Sequence, residues 1–111
     1  MSTTDAGRKA EEQVAQMLES QKHKIDAKNW RTRWCEIDIV STRKKIVYFT
    51  EVKFRSSDKW GDGLDYITPK KLKQMKFAAE MWISKNDWKG EVQLQVASVN
   101  VDGQIELLEI V

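Results

Sequence analysis

The chain has 111 residues, of which 41% are hydrophobic and 32% charged, and its formal net charge is +2. This length and composition predict a single folded domain over residues 1–111 and exclude a disordered chain. The only cysteine, Cys35, and the only histidine, His23, exclude an internal disulfide and a Cys/His zinc site, and they make a Cys-His catalytic pair improbable. No apolar run is long enough to cross a bilayer and no signal peptide is evident, so we expect a cytoplasmic protein with no membrane partner.

The first half of the chain predicts a helix followed by three strands. Apolar residues at helical spacing indicate a helix from Asp5 to about Gln21. A weak strand is predicted at Lys24–Arg31, and an alternating pattern predicts another at Trp34–Val40. In that second strand the expected faces are Cys35, Ile37 and Ile39 on one side and Glu36 and Asp38 on the other. Aromatic and β-branched residues predict a third strand at Lys45–Phe54, which forms a hairpin with the second through the polar turn "STRKK".

The second half predicts a loop, a helix and a further hairpin. Gly61 and Gly63 indicate a long and potentially functional loop in "RSSDKWGDGLDY". Thr68 and Pro69 then favour the start of a helix that ends within Asn86–Gly90. Two last strands are predicted at Glu91–Val101 and Gln104–Val111, around the turn "VDGQ". The predicted order is α-β-β-β-α-β-β, an α/β fold with a central mixed β-sheet flanked by helices.

Acidic residues interrupt strands that otherwise look buried. With the hairpin turn centred near Arg43, Glu51 would lie almost opposite Glu36 and diagonal to Asp38. Facing carboxylates repel each other, and a divalent cation such as Mg²⁺ would offset that repulsion. Lys53, two residues beyond Glu51, would point at the same place and could hold a water molecule or neutralise a phosphate. The pattern is coherent with a site that hydrolyses phosphodiesters, although "EVK" by itself is more often a solvated strand face with a salt bridge.

Four segments of the sequence resemble the YraN (UPF0102) family. They are "GRKAEEQVA" (Gly7–Ala15), "NWRTRWCEIDIV" (Asn29–Val40), "YFTEVKFR" (Tyr48–Arg55) and "WGDGLDYITPKKLKQM" (Trp60–Met75). The resemblance extends from about Gly7 to Ile83. That family is a predicted endonuclease group, distantly similar to archaeal Holliday junction resolvases within the PD-(D/E)xK superfamily. The resemblance therefore implies a restriction-endonuclease-like fold and a metal-dependent endonuclease that cleaves DNA, with branched or junction DNA as one substrate class.

The same resemblance implies roles for individual residues. Asp38 and Glu51 match the metal-binding acids, with the backbone carbonyl of Val52 as a third ligand for Mg²⁺ or Mn²⁺. Lys53 matches the lysine of the (D/E)xK element, and Glu11 matches an acid that the first helix brings to the site. Glu36 matches the acid of the family's Gly-Glu-Ile-Asp pattern, in which Cys35 replaces the usual glycine, and "GDG" stands where the family tends to carry Gly-x-Pro. A homodimer would present two such sites to a two-fold junction.

Two basic clusters are candidates for contact with DNA phosphates. One is the turn Arg43, Lys44 and Lys45, and the other is Lys70, Lys71 and Lys73 in the first turn of the second helix. Cations are unfavourable at a helix N-terminus, so a bound phosphate there would offset their repulsion. The alternative for these lysines, and for Glu11 on its helix, is an ordinary solvated surface.

The remaining aromatic and polar residues have plainer interpretations. Trp60 is expected to pack against the sheet rather than stack on a base, and Trp30, Trp34, Trp82 and Trp88 are expected in the core or at its edge. We expect His23 to be a solvated residue at a helix end and Cys35 to be a small core residue facing away from the acids. Two other functions stay open: a nucleic-acid-binding module without cleavage, and a protein-interaction subunit that uses its acidic C-terminal part.

Overall fold

A computed structural model describes residues 5–55 and 67–110 of the chain. It contains helix α1 (Asp5–Ser20), strands β1 (Lys24–Arg31), β2 (Glu36–Arg43) and β3 (Ile46–Phe54), helix α2 (Pro69–Asn86), and strands β4 (Glu91–Val99) and β5 (Ile105–Ile110). The predicted order α-β-β-β-α-β-β is confirmed. The loop predicted at 55–66, including Trp60, lies outside the described residues except for Arg55.

The five strands form one mixed sheet in the order β1-β2-β3-β4-β5. β1, β2 and β3 pair antiparallel, β3 and β4 pair parallel, and β4 and β5 pair antiparallel. The parallel pair, β3 and β4, is the one whose strands are joined through α2. Two neighbouring parallel strands need such a crossover connection, because the chain must return to the end of the sheet where the first strand began. Across the described ranges, neither helix has both the length and the apolar character that a membrane span requires.

Alternate residues of the strands contribute to two separate hydrophobic clusters. Val47 and Phe49 pack with the buried stripe of α2, whereas Val52 packs with the stripe of α1. Since successive side chains of a strand point to opposite faces, the two helices cover opposite faces of the sheet. Phe49 and Trp82 meet edge to face, with ring centroids 5.6 Å apart, in the cluster under α2.

Helix α2 begins and ends as its sequence predicts. The Thr68 side chain accepts a hydrogen bond from the Lys71 N–H at 3.0 Å, and Pro69 occupies the first turn. Asp87 ends the helix in the left-handed conformation, with its N–H directed to the carbonyls of Ile83 and Ser84. These caps fix the position of the first turn of α2, which faces the acidic residues described below.

The β2–β3 hairpin differs from its prediction in register. Its turn consists of Lys44 and Lys45, with φ of 50° and 66°, and Arg43 pairs with Ile46. Positive φ at both central residues is the signature of a two-residue type I′ turn, whose twist matches that of the strands. The prediction placed the turn near Arg43, so it shifted the pairing by two residues, and β2 starts and ends later than predicted.

His23 is buried, which corrects its prediction as a solvated residue. It is only 7% exposed, its Nδ1 lies 2.9 Å from the Ser41 hydroxyl, and its ring meets that of Tyr48 edge to face at 4.6 Å. Burial, followed by the nearby charge of Arg43, lowers the pKa of His23. The chain turns directly from α1 into β1 at this point, which brings His23 against Ser41 of β2 and Tyr48 of β3.

Candidate metal and phosphate site

Asp38 and Glu51 each lie one residue beyond the last regular pair of the β2–β3 ladder. Val40 pairs with Phe49 and Ile39 with Thr50. This register differs by two residues from the predicted one, in which Glu51 lay almost opposite Glu36. The regular backbone pairing of β2 and β3 ends at Ile39 and Thr50, so the two acids lie where the strands begin to separate.

The separation of the strands is filled by the Asp38 side chain. Its Oδ2 accepts a hydrogen bond from the backbone N–H of Val52 at 2.8 Å. The regular alternation of β2 does not continue through this point, because Ile39 packs in the cluster under α1 and Ile37 in the cluster under α2. The prediction that these two isoleucines share a face was therefore wrong. It assumed a regular strand, but at this point the Asp38 side chain, and not a backbone carbonyl of β2, accepts the Val52 N–H.

The environment of Asp38 strongly disfavours its negative charge. Burial is the largest cause, the Glu51 carboxylate is next, and Glu11 and Glu36 add to the effect, while the Val52 N–H acts in the opposite direction. Together they raise the pKa of Asp38 from 3.8 to about 7. A carboxyl group held near its protonation midpoint at neutral pH is typical of functional sites, where desolvation and like charges are combined.

Glu51 differs from Asp38 in having two ammonium partners. Its Oε2 lies 3.4 Å from Lys53 Nζ on the same strand and 3.1 Å from Lys71 Nζ on α2. The Glu51 side chain is 13% exposed, so these contacts are made in a partly dehydrated environment. The pairing explains how the first turn of α2 tolerates Lys71: its ammonium group reaches across to the sheet and neutralises a carboxylate.

Glu11 and Glu36 complete a cluster of four carboxylates drawn from three elements. Glu11, on α1, is half-buried, and burial raises its pKa more than its hydrogen bond with the Asn29 side chain lowers it. The charges of Glu36 and Glu51 also raise the pKa of Glu11. The helix acid and the two strand acids predicted for the site are therefore electrostatic neighbours, and Glu36 belongs to the same group.

The donor set suits a hard divalent cation, but the side chains do not form a ready-made cage. Carboxylate oxygens are the ligands that Mg²⁺ and Mn²⁺ prefer. Over residues 5–55 and 67–110, no three Asp, Glu, His or Cys side chains are arranged to hold one metal ion. In this arrangement Lys53 and Lys71 both contact Glu51 Oε2, so an ion bound to that oxygen would have to share or displace these contacts.

A cavity of about 480 Å³ opens beside these acids. Glu36 and Glu51 lie on one side of it, and residues from the start of α2 lie on the other. The residues lining it are Trp34, Cys35, Glu36, Glu51, Lys70, Lys71, Lys73, Gln74, Met75 and Phe77. The cavity thus combines carboxylates, ammonium groups and apolar side chains in one place.

The two predicted basic clusters do not surround one site. Lys70 and Lys73 line the cavity and are exposed, and Lys71 is engaged with Glu51. The turn Arg43–Lys45 lies at the other end of β2, five residues from Asp38, a separation of roughly 17 Å along an extended strand. Any contact this turn makes with a phosphate backbone would be remote from the acids.

Two residues at the cavity were misjudged from the sequence. Trp34 is 67% exposed and not part of the core or its edge. Cys35 lines the cavity with Glu36 and Glu51, and so does not face away from the acids, although it also packs against the cluster under α2. Both lie in the turn before β2, where strand alternation does not apply. Phe77 on α2 is 45% exposed and also lines the cavity, and no pattern in the sequence indicated this position.

Comparison with known proteins agrees with the resemblance noted in the sequence. A family model described as "Uncharacterised protein family UPF0102" matches residues 10–102, which is most of the chain. The chain belongs to the UPF0102 family. A UPF0102 protein of Cytophaga hutchinsonii is 32% identical over 89 residues, covering 80% of this chain and 79% of that protein. A UPF0102 protein of Sulfurihydrogenibium sp. is 33% identical over 91 residues (82% and 79%), and one of Pseudomonas putida is 36% identical over 84 residues (76% and 68%).

These UPF0102 relatives are named for their family, and their names state no activity. The family match includes all four carboxylates, from Glu11 on α1 to Glu51 on β3, and also Lys53 and Lys71. Membership therefore covers the whole candidate site, while the function of that site must be argued from its chemistry.

Proposed function

We propose that this UPF0102 protein is a metal-dependent endonuclease that hydrolyses phosphodiester bonds of DNA. The observation that carries the proposal is the pairing of two unlike carboxylates at the strand separation. Asp38 is half-buried, accepts the Val52 N–H and has a pKa of about 7, whereas Glu51 contacts two ammonium groups. Such a combination favours a cation beside the acids and a phosphate beside the lysines.

In this proposal, carboxylate oxygens of Asp38 and Glu51 and the carbonyl oxygen of Val52 would hold Mg²⁺ or Mn²⁺. The bound ion would polarise a phosphoryl oxygen and lower the pKa of a coordinated water. Binding favours the ionised form of Asp38, since a nearby cation counteracts the burial and the like charges that raise its pKa.

The lysines and the helix acid would then act on the substrate. Lys53, 3.4 Å from Glu51, would position the attacking water or neutralise charge that develops on the phosphate. Lys71 would move from Glu51 to a phosphate oxygen once a cation satisfies that carboxylate, with Lys70 and Lys73 holding neighbouring phosphates. Glu11, on α1 beside the strand acids, would hold a hydrogen-bonded water at the edge of the site.

A cleavage assay tests the proposal directly. End-labelled duplex, single-stranded, flapped and four-way DNA would be incubated with Mg²⁺ or Mn²⁺ and the wild-type protein, Glu51→Gln or Lys53→Ala. Glu106→Gln, which changes an exposed carboxylate on β5, is the matched control. We expect cleavage by the wild type and the control and at least about 100-fold slower cleavage by the two site variants, in line with the loss of one electrostatic catalytic group. Equal product from all four proteins would refute the proposal.

Metal binding can be tested separately from cleavage. At a Mn²⁺ concentration about 100 times its dissociation constant, binding should stabilise the fold by about 2.7 kcal/mol and raise the unfolding midpoint by on the order of 10 °C. Asp38→Asn should abolish the rise, and Glu106→Gln should leave it unchanged. A rise without DNA cleavage would favour the alternative of a nucleic-acid-binding module on the same fold.

A further inference from the structure

Two exposed aromatic side chains lie on the cavity beside the acids. Trp34 is 67% exposed and Phe77 is 45% exposed, and both line the cavity that contains Glu36 and Glu51. Scattered exposed apolar residues are ordinary, but two large rings on a cavity that also carries lysines form a combined apolar and cationic surface.

Trp34 is held in place by the turn that carries it. The Thr32 hydroxyl accepts the Trp34 N–H at 3.1 Å, and the Thr32 N–H donates to the Cys35 carbonyl at 2.8 Å. The Arg33 guanidinium lies 5.2 Å from the centre of the Trp34 ring, within range of a cation–π interaction. An aromatic ring presented by a hydrogen-bonded turn loses little conformational entropy when a second planar group stacks on it.

The occupant that suits this surface is an unpaired nucleotide. A base inside a duplex already stacks on both faces, whereas an unpaired base offers a free π-face to an aromatic side chain. Lys70 and Lys73, exposed on the same cavity, match the phosphates on either side of such a base. The nearby carboxylates would repel the phosphates unless a cation were bound, so the base rather than the backbone is expected to lie nearest Trp34.

We propose that Trp34, assisted by Phe77, stacks an unpaired DNA base next to the bond to be cleaved, so that the substrate class is DNA with a single-stranded segment, such as a flap or an open junction. This inference rests on the proposed nuclease function and specifies its substrate. Blunt duplex DNA, whose bases cannot reach the ring, is bound through its phosphates alone.

Binding measured without cleavage tests this inference. A fluorescently labelled single-stranded oligonucleotide and a blunt duplex would be titrated by anisotropy in EDTA and again in Ca²⁺, with wild type, Trp34→Ala, Trp34→Phe and Phe54→Ala. Phe54 is an exposed aromatic residue on a different cavity and serves as the matched control. We expect Trp34→Ala to weaken single-strand binding about 5-fold to 100-fold, as for loss of one base–aromatic stack, and Trp34→Phe to restore most of it. Duplex binding should not change.

A second measurement needs no protein variant. An oligonucleotide in which one base is replaced by an abasic site, moved along the strand, should bind the wild type more weakly when the missing base is the stacked one. Uniform affinity along the strand, or equal losses of single-strand and duplex binding in Trp34→Ala, would overturn the inference. Failure of the nuclease proposal alone would appear as absent cleavage by the wild-type protein, with its preference for single strands intact.

Discussion

The raised pKa of Asp38 predicts that this residue destabilises the metal-free protein at neutral and alkaline pH. In the unfolded chain its pKa is near 3.8, and in the folded protein it is about 7. Below about pH 3 the side chain is protonated in both states and has no effect on the free energy of unfolding. Between about pH 4 and pH 7 the folded protein keeps a proton that the unfolded chain has released, so the free energy of unfolding falls across this range and levels off above pH 7.

The size of the effect follows from the difference between the two pKa values. Each pKa unit corresponds to about 1.4 kcal/mol, so a difference of about three units gives roughly 4 kcal/mol as an upper value above pH 7. Asp38→Asn removes the charge and keeps an oxygen that can accept the Val52 N–H. We therefore expect Asp38→Asn to be as stable as wild type near pH 4 and more stable by about 2–4 kcal/mol at pH 8 in EDTA.

Urea unfolding followed by tryptophan fluorescence at half-unit steps from pH 4 to pH 8.5 would measure this difference. Both proteins contain His23, so its titration cancels when the variant is compared with the wild type. Glu106→Gln, on the exposed face of β5, should show no comparable trend. The reasoning is refuted if the advantage of Asp38→Asn does not grow with pH, and saturating Mn²⁺ should reduce or reverse that advantage at pH 8.

Two further changes test the geometry around the site. Replacing Lys44 with Asn and Lys45 with Gly should stabilise the fold by about 1–2 kcal/mol, because both positions have positive φ, and a decrease in the urea midpoint would contradict the type I′ turn. Lys71→Met should cost about 1–2 kcal/mol in metal-free unfolding experiments, because Glu51 is largely buried and loses one of its cationic partners. Lys76→Met, which changes an exposed lysine in the middle of α2, is the control, and equal stability of the two methionine variants would show that the ion pair contributes nothing.

The order of elements could be predicted because each had an independent local signal. Helical spacing located α1, and Thr68 followed by Pro69 located the start of α2. The register of the central hairpin could not be read in the same way. Two lysines are unusual in a turn that requires positive φ, where Asn and Gly are expected, so the turn was placed too early and the pairing moved by two residues.

The sequence could predict which strand residues lie together at the candidate site, but not which side chains contact one another there. Asp38, Glu51 and Lys53 could be identified from their spacing and the family resemblance, and the fold brings them together. The contact between Lys71 and Glu51 could not be predicted, because it joins residues 20 positions apart in sequence and depends on how α2 packs on the sheet. The exposure of Trp34 likewise depends on a turn stabilised by Thr32, for which no periodic pattern exists.

The two acids of the hairpin differ in how their charge is balanced, and this difference locates the chemistry. The Glu51 carboxylate is paired within the protein with the ammonium groups of Lys53 and Lys71. Asp38 receives one backbone N–H, and burial and three neighbouring carboxylates outweigh that hydrogen bond. In the proposed mechanism, a cation would therefore relieve the repulsion at Asp38, and a phosphate would bind the ammonium groups beside Glu51. A cation that binds at Asp38 and attracts Glu51 would release the lysines toward the substrate, so metal binding and phosphate binding should reinforce each other.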